Sequence, residues 1–506
     1  MFENFLSIMI FVPIIAGLAL LFLPVSREAA RAVGLAVSVI VVLFGLKLFV
    51  SFSGAGGGFE FTEYRVVNSS LGIAYSLGVD GISILILAAA ALLFPMVYLL
   101  FQTREKGYYA NLLIVQGAMI GAVAATDMVL FYVFWEVMLL PIFFMIGLYG
   151  GPRRLPATIK ITIYTIAGSL LMLASIIYLG ISYHAQSGEW SFAMENLSKM
   201  SLAGPTATLA FAGFMIAFAI KIPLFPFHTW LPDAYTEAPA ATTFVLSAVM
   251  AKIGVYGVIR FVVPVFDESF ARYALILACS GVIGMMYCGI AALAQKDMKR
   301  MLAFSSASHM GIIALGIFCM NVQALTGTLY QIVAHATSTG VLFLMLGIIE
   351  ERSESRSIDD FGGLASRAPV FAVFFAVAML ASVGLPGTSG FIGEFLIILG
   401  AVKFNPMIAV CAGTTLIIGV CYMLWLFQRV FYEKTNSRLE HFRDLTAVET
   451  LTLLPIVILI IVMGIYPQPF IEKIEPTAQQ QIAVIASVPH VAEAAPADLN
   501  LKKGEL

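Results

Sequence analysis

The sequence predicts an all-α polytopic membrane protein with about 14 transmembrane helices, and three observations lead there. Of its 506 residues, 60% are hydrophobic and only 11% charged, whereas soluble domains carry about 25% charged residues. The apolar residues fall into runs of about 20, the length that crosses a bilayer core. Two of those runs contain helix breakers, in "KIPLFPFHTWLPDAYTEAP" and "GLPGTSGFIGE". Freed backbone carbonyls persist at membrane depth only where protein or water satisfies them.

The first run, residues 5–24, follows acidic Glu3 and has no small-residue cleavage site. It therefore reads as a retained helix and not as a signal peptide. Further spans are expected at 32–53, 82–101, 109–126, 128–150, 160–183, 206–228, 240–263, 270–293, 301–320, 324–349, 369–400, 407–431 and 448–467. The glycine-rich "SGAGGG" at 53–58 opens the longest early loop, and the tail after Phe470 reads as extended or packed on a partner. Loops after odd-numbered spans hold 17 of the 28 Lys and Arg residues. By the positive-inside rule they face the cytoplasm or its equivalent, and both termini face the opposite side; a bacterial inner membrane is expected, with periplasmic termini.

Pro223 in the seventh span and Pro386 in the twelfth suggest two five-helix repeats, each with one Pro-broken helix. An odd number of spans per unit makes such repeats inverted. The expected organisation is a three-helix segment at 1–108, repeats at 109–263 and 264–431, and a last helix and tail at 432–506.

Ionisable groups inside spans are costly and mark ion pathways. Glu136 lies in the fifth span, Lys221 precedes the first proline break, Lys252 is central in the eighth, and Glu394 follows the break in the twelfth. His309 and His335 fall in the tenth and eleventh. A lone histidine there is also a plain helix contact, and Lys47 and Arg260, near span ends, read as snorkelling side chains. Asp127, Asp233 and Glu237 at span mouths read as solvated, with His228 and Asp233 lining the cytoplasmic mouth. Burial disfavours the charged form of lysine and glutamate alike, so such a row can exchange protons near neutrality. The prolines free the carbonyls of Ala219 and Ile222, inviting water to Lys221.

The five cysteines all lie in apolar segments without metal-ligand spacing, as buried small residues do. No phosphate-binding glycine loop and no nucleophile elbow is present, and no basic, aromatic-interleaved surface suggests nucleic acid.

Six stretches, "FWEVMLLP", "KIPLFPFHTWLPDAYTEAP", "MAKIGVYG", "QKDMKRMLAFSSASHMG", "AHATSTGVLFL" and "GLPGTSGFIGEF", lie between Phe134 and Phe395, in a likeness that covers about Asn111 to Phe431. They resemble the antiporter-like membrane subunits of respiratory complex I, the proton-translocating NADH–quinone oxidoreductase. The resemblance implies a proton relay through Glu136, Lys221, Lys252, His309, His335 and Glu394, with Glu136 pairing Lys221. Glu394 stands where the sister chains L and N carry a lysine. It also implies that FMN, iron–sulfur clusters and quinone bind other subunits, none in this chain, and that chains L and N are partners. The N-terminal 110 residues and the tail carry none of these motifs. A subunit of a multisubunit Na⁺/H⁺ antiporter or of a membrane-bound hydrogenase shares them, and a non-conducting spacer is a third possibility.

Overall fold

The computed structural model describes residues 4–102, 104–434, 439 and 441–486. Glu3, Arg438 and the tail beyond 486, with Lys502 and Lys503, lie outside the described residues. Among the described residues, eleven helices are long and apolar enough to cross a membrane. They are α1 (Phe5–Phe22), α2 (Arg27–Ser51), α4 (Lys106–Ala124), α5 (Met128–Tyr149), α6 (Arg154–Ser187), α8 (Ala240–Val265), α9 (Asp267–Leu293), α10 (Met298–Phe318), α11 (Val322–Ser353), α13 (Pro406–Tyr432) and α14 (Ala447–Ile465). Three shorter apolar helices fill the remaining expected positions: α3 (Ile84–Leu100), α7 (Pro205–Lys221) and α12a (Pro369–Ser382), which continues as α12b (Ser389–Phe404). The chain is a multi-pass membrane protein. Helices α8, α10 and α11 are buried all round, whereas α2, α6 and α14 expose apolar faces, as helices against lipid do.

The break in α7 differs from the expected one. Pro223 cannot donate to Ala219, but the Leu224 N–H takes that carbonyl instead (2.8 Å). The displaced carbonyl, that of Ile220, accepts from the Trp230 indole (2.8 Å). Ala219 is thus satisfied by protein and does not call for water. The same overlong bond recurs at the second break, where Leu385 N–H donates to Leu380 (3.0 Å).

The repeat is visible at the α4–α5 and α9–α10 corners. Asp127 and Asp297 each cap the following helix, Asp127 accepting from the N–H of Val129 and Leu130 and Asp297 from those of Lys299 and Arg300. Each sits in an isolated antiparallel bridge, to Ala193 and Ser357 respectively. Five crossings separate the two corners, so they lie at opposite faces of the membrane, as inverted units require.

Several expectations needed correction. The loop after "SGAGGG" holds an antiparallel hairpin, β1 (Glu60–Asn68) with β2 (Ile73–Val79). Of the tail, the described part is helical and not extended: α15 (Gln468–Ala486) packs on this chain. There the Thr477 hydroxyl accepts from Gly81 N–H (3.1 Å), and the Gln480 amide donates to the Gly56 carbonyl. Asp127 and Glu237 are buried and not solvated. Glu237 accepts from Arg153 N–H (2.9 Å), which ties the α5–α6 corner down.

Arg260 does not snorkel. Its guanidinium is held by the Asp80 carboxylate at the end of β2 (Nη1–Oδ2 2.7 Å), with both side chains almost fully buried. It also lies over the rings of Phe59 and Tyr256. Removing one partner of such a pair strands the other charge, which typically costs about 3–5 kcal/mol. Arg260→Leu should therefore lower the thermal-unfolding midpoint by several degrees, and Asp80→Asn in that background should recover part of the loss. An unchanged midpoint for Arg260→Leu would show that the pair does not hold the hairpin to α8.

Candidate proton-relay site

The six expected residues converge into two groups. Lys252 is fully buried in α8, between two π-helical stretches, Leu246–Met250 and Val258–Val262. Such widened turns leave carbonyls without their usual partner, and the Lys252 ammonium donates to that of Ser247. It also lies 2.7 Å from His335 Nδ1 on α11. The rings of His335 and His309, on α10, are 5.5 Å apart between centroids. His309 Nδ1 is 3.1 Å from Glu394 Oε1 on α12b, which also accepts from the Gln331 amide (3.1 Å). All four side chains are at least nine-tenths buried.

The broken helix is what admits Glu394. Gly384 sits at φ +70°, and a Cβ there would come within 2.5 Å of Glu394 Oε2. Any side chain at 384 would be strained in backbone and would collide with the carboxylate. Gln331 was not anticipated, although it precedes His335 by four residues and so shares its helix face. The Nε2 atoms of His309 and His335 are both buried without a protein partner.

Glu136 and Lys221 form the second group, and here the expected direct pair is absent. Among the described residues no ion pair joins them; the Lys221 ammonium lies over the Trp135 ring, 4.6 Å from its centroid. Glu136 Oε1 is buried without a hydrogen-bond partner, next to Trp135 on α5. The neighbouring α8 turn must be small, because a Cβ on Gly254 would lie 3.0 Å from that of Lys221.

At the mouth, the two expected residues divide. His228 is buried against Phe225 and Tyr287 (centroids 5.6 and 5.1 Å). Asp233 is half-exposed and bridges Lys160 (2.8 Å) and Arg300 (3.1 Å), joining α6 to α10. Burial pushes its carboxyl upward, but the hydrogen bonds from Lys160 and Arg300 outweigh this and hold it below the usual carboxylate range. It reads as a structural tie between the two repeats.

Comparison with known proteins identifies the family. Residues 125–419 match the family described as "NADH:quinone oxidoreductase/Mrp antiporter, TM". The chain belongs to this family. The NADH-quinone oxidoreductase subunit M of Rhodobacter capsulatus is 37% identical, covering 94% of this chain and 96% of its own. That of Mycobacterium tuberculosis is 33% identical over 97% of each. A chain of respiratory complex I from Thermus thermophilus superposes with a TM-score of 0.88 at 34% identity, covering 95% of this chain and 99% of that one. A chain of the Mrp complex from Dietzia sp. shares the fold, with a TM-score of 0.85 at 20% identity over 96% and 99%.

Proposed function

We propose that this chain is the antiporter-like subunit M of a proton-translocating NADH–quinone oxidoreductase and supplies one of its proton pathways. The single observation that carries the reading is the buried sequence Lys252–His335–His309–Glu394, two of whose three links lie within proton-transfer distance. A single water bonded to both free Nε2 atoms would complete the third, since a buried water needs two to four polar partners.

The polarity of that row is consistent from end to end. A charged Lys252 donates to His335 Nδ1, which puts that ring's own proton on its free Nε2. An ionised Glu394 accepts from His309 Nδ1, which leaves the His309 Nε2 as acceptor. Every donor then points from Lys252 towards Glu394, and one proton moving along the row reverses each bond in turn. Glu136 and Lys221 form the corresponding switch in the first repeat, taken as residues 109–263, with 264–431 as the second and 1–108 and 432–506 as flanking segments.

On this reading NADH oxidation, FMN, the iron–sulfur clusters and quinone chemistry belong to other subunits, and the redox energy reaches this chain through its neighbours, the sister chains L and N. The membrane is the bacterial inner membrane, with both termini periplasmic. The basic loops after odd-numbered spans support that orientation.

Affinity isolation of the tagged chain from its native membrane tests the reading. NADH-oxidising peripheral subunits should co-purify, and proteoliposomes of the isolated complex should translocate protons on adding NADH and quinone. Na⁺/H⁺ exchange without any redox substrate, or a complex lacking NADH-oxidising subunits, would assign the chain to an antiporter instead.

A further inference from the structure

A hollow of about 170 Å³ opens on the membrane-facing side, between α2, α3, α11, α14 and α15. Its walls are almost wholly apolar and its floor is made by small residues, Gly45 of α2 and Ala88 of α3, from the run "AAAALL". Phe49 and Phe470 line one end, and Val333 and Thr337 of α11 line its inner wall. The flanking outer residues are lipid-type, with Leu46 52% and Ile458 50% exposed.

Two features identify what fits. An apolar cavity of about 150 Å³ takes a benzene-sized group, so this one accepts a stretch of hydrocarbon chain but not a helix. The lining runs from Val42 to Phe49, about 10 Å along the helix axis at 1.5 Å per residue, with its Phe49 end towards the membrane surface. At that end stands a cation. Lys473 lies 5.1 Å from the Phe49 ring centroid and 5.8 Å from that of Phe52. It is one turn beyond Phe470 on α15, is half-buried, and donates to the Phe52 carbonyl.

We propose that this hollow is a binding site for an anionic phospholipid, with part of one acyl chain between α2, α3 and α14 and the headgroup phosphate on Lys473. The match is between an apolar slot set along the bilayer normal and a positive charge at interfacial depth. Val333 and Thr337 lie two residues either side of His335, on the opposite face of α11. The bound chain therefore braces the helix that carries a relay histidine.

The test uses the intact complex in phosphatidylcholine vesicles with a small fraction of phosphatidylglycerol bearing a photoactivatable acyl chain. Labelled peptides should come from α3 and α15 in excess over the outward face of α6 at Leu170. Ala88→Phe, which fills the slot, should reduce that labelling at least about tenfold, equivalent to about 1.4 kcal/mol, and leave Leu170 labelling unchanged. Lys473→Gln, which removes the charge and keeps an amide donor, should abolish the preference for the phosphatidylglycerol probe over its phosphatidylcholine counterpart. Labelling of α3 no greater than at Leu170, or indifferent to both substitutions, would overturn the proposal. Cross-linking of a neighbouring subunit in the slot in place of lipid would overturn it in favour of a protein contact.

Discussion

Lys252→Met should abolish most NADH-driven proton pumping while leaving the complex assembled. Methionine fills nearly the same volume and removes a buried ammonium whose desolvation is unfavourable, so the fold should lose little. What it removes is the donor to His335 Nδ1 and to the Ser247 carbonyl. The histidine then has no proton source on that side, and the row ending at Glu394 loses its first member. A drop of at least about tenfold in pumping rate is expected, equivalent to about 1.4 kcal/mol on the slowest barrier. Lys252→Arg separates charge from proton exchange, because a guanidinium keeps its charge but does not release a proton at accessible pH. It should fail almost as badly as methionine. Pumping that survives Lys252→Met in proteoliposomes with an unchanged thermal midpoint would remove Lys252 from the pathway.

The residues themselves announce most of this site. Membrane burial makes each ionisable side chain conspicuous, which is why Lys252, His309, His335 and Glu394 stand out in the sequence and then meet in space. The spans are equally legible, because fourteen apolar runs leave little freedom in where helices lie. What sequence does not disclose is the partner of each group. Arg260 near a span end reads as snorkelling because its distance from Asp80, 180 residues away, is a property of packing alone. Proline at 223 announces a break but not that Leu224 and Trp230 would satisfy the carbonyls it frees. The α15 helix is similarly hidden. It begins beyond the apolar runs and contains Pro476, so its helicity depends on packing against α11 and the glycine-rich loop.

Lys221→Ala should match the effect of Lys252→Met, and a comparison with its neighbours should reveal how the first repeat switches. Two alternative partners for one ammonium sit side by side on α5, the Trp135 ring beneath Lys221 and the unpartnered carboxylate oxygen of Glu136. A desolvated cation–π contact is worth about 2 kcal/mol. A direct bond to a buried carboxylate is stronger, so whichever partner holds the lysine depends on whether Glu136 is ionised. Protonating Glu136 releases Lys221 to the ring; ionising it draws the ammonium back. Glu136→Gln should then leave Lys221 on Trp135 permanently and cut pumping as deeply as Lys221→Ala, at least about tenfold. Trp135→Leu removes only the weaker alternative and should cost less than either, because Glu136 remains to receive the lysine. The measurement is NADH-driven proton uptake by proteoliposomes of the assembled complex, with assembly checked by co-purification. If Glu136→Gln impairs assembly alone and the residual complex pumps normally, the pair serves the scaffold, and the reading of this chain as a silent spacer gains. If Trp135→Leu proves the most damaging of the three, the ring and not the carboxylate is the partner that matters in turnover.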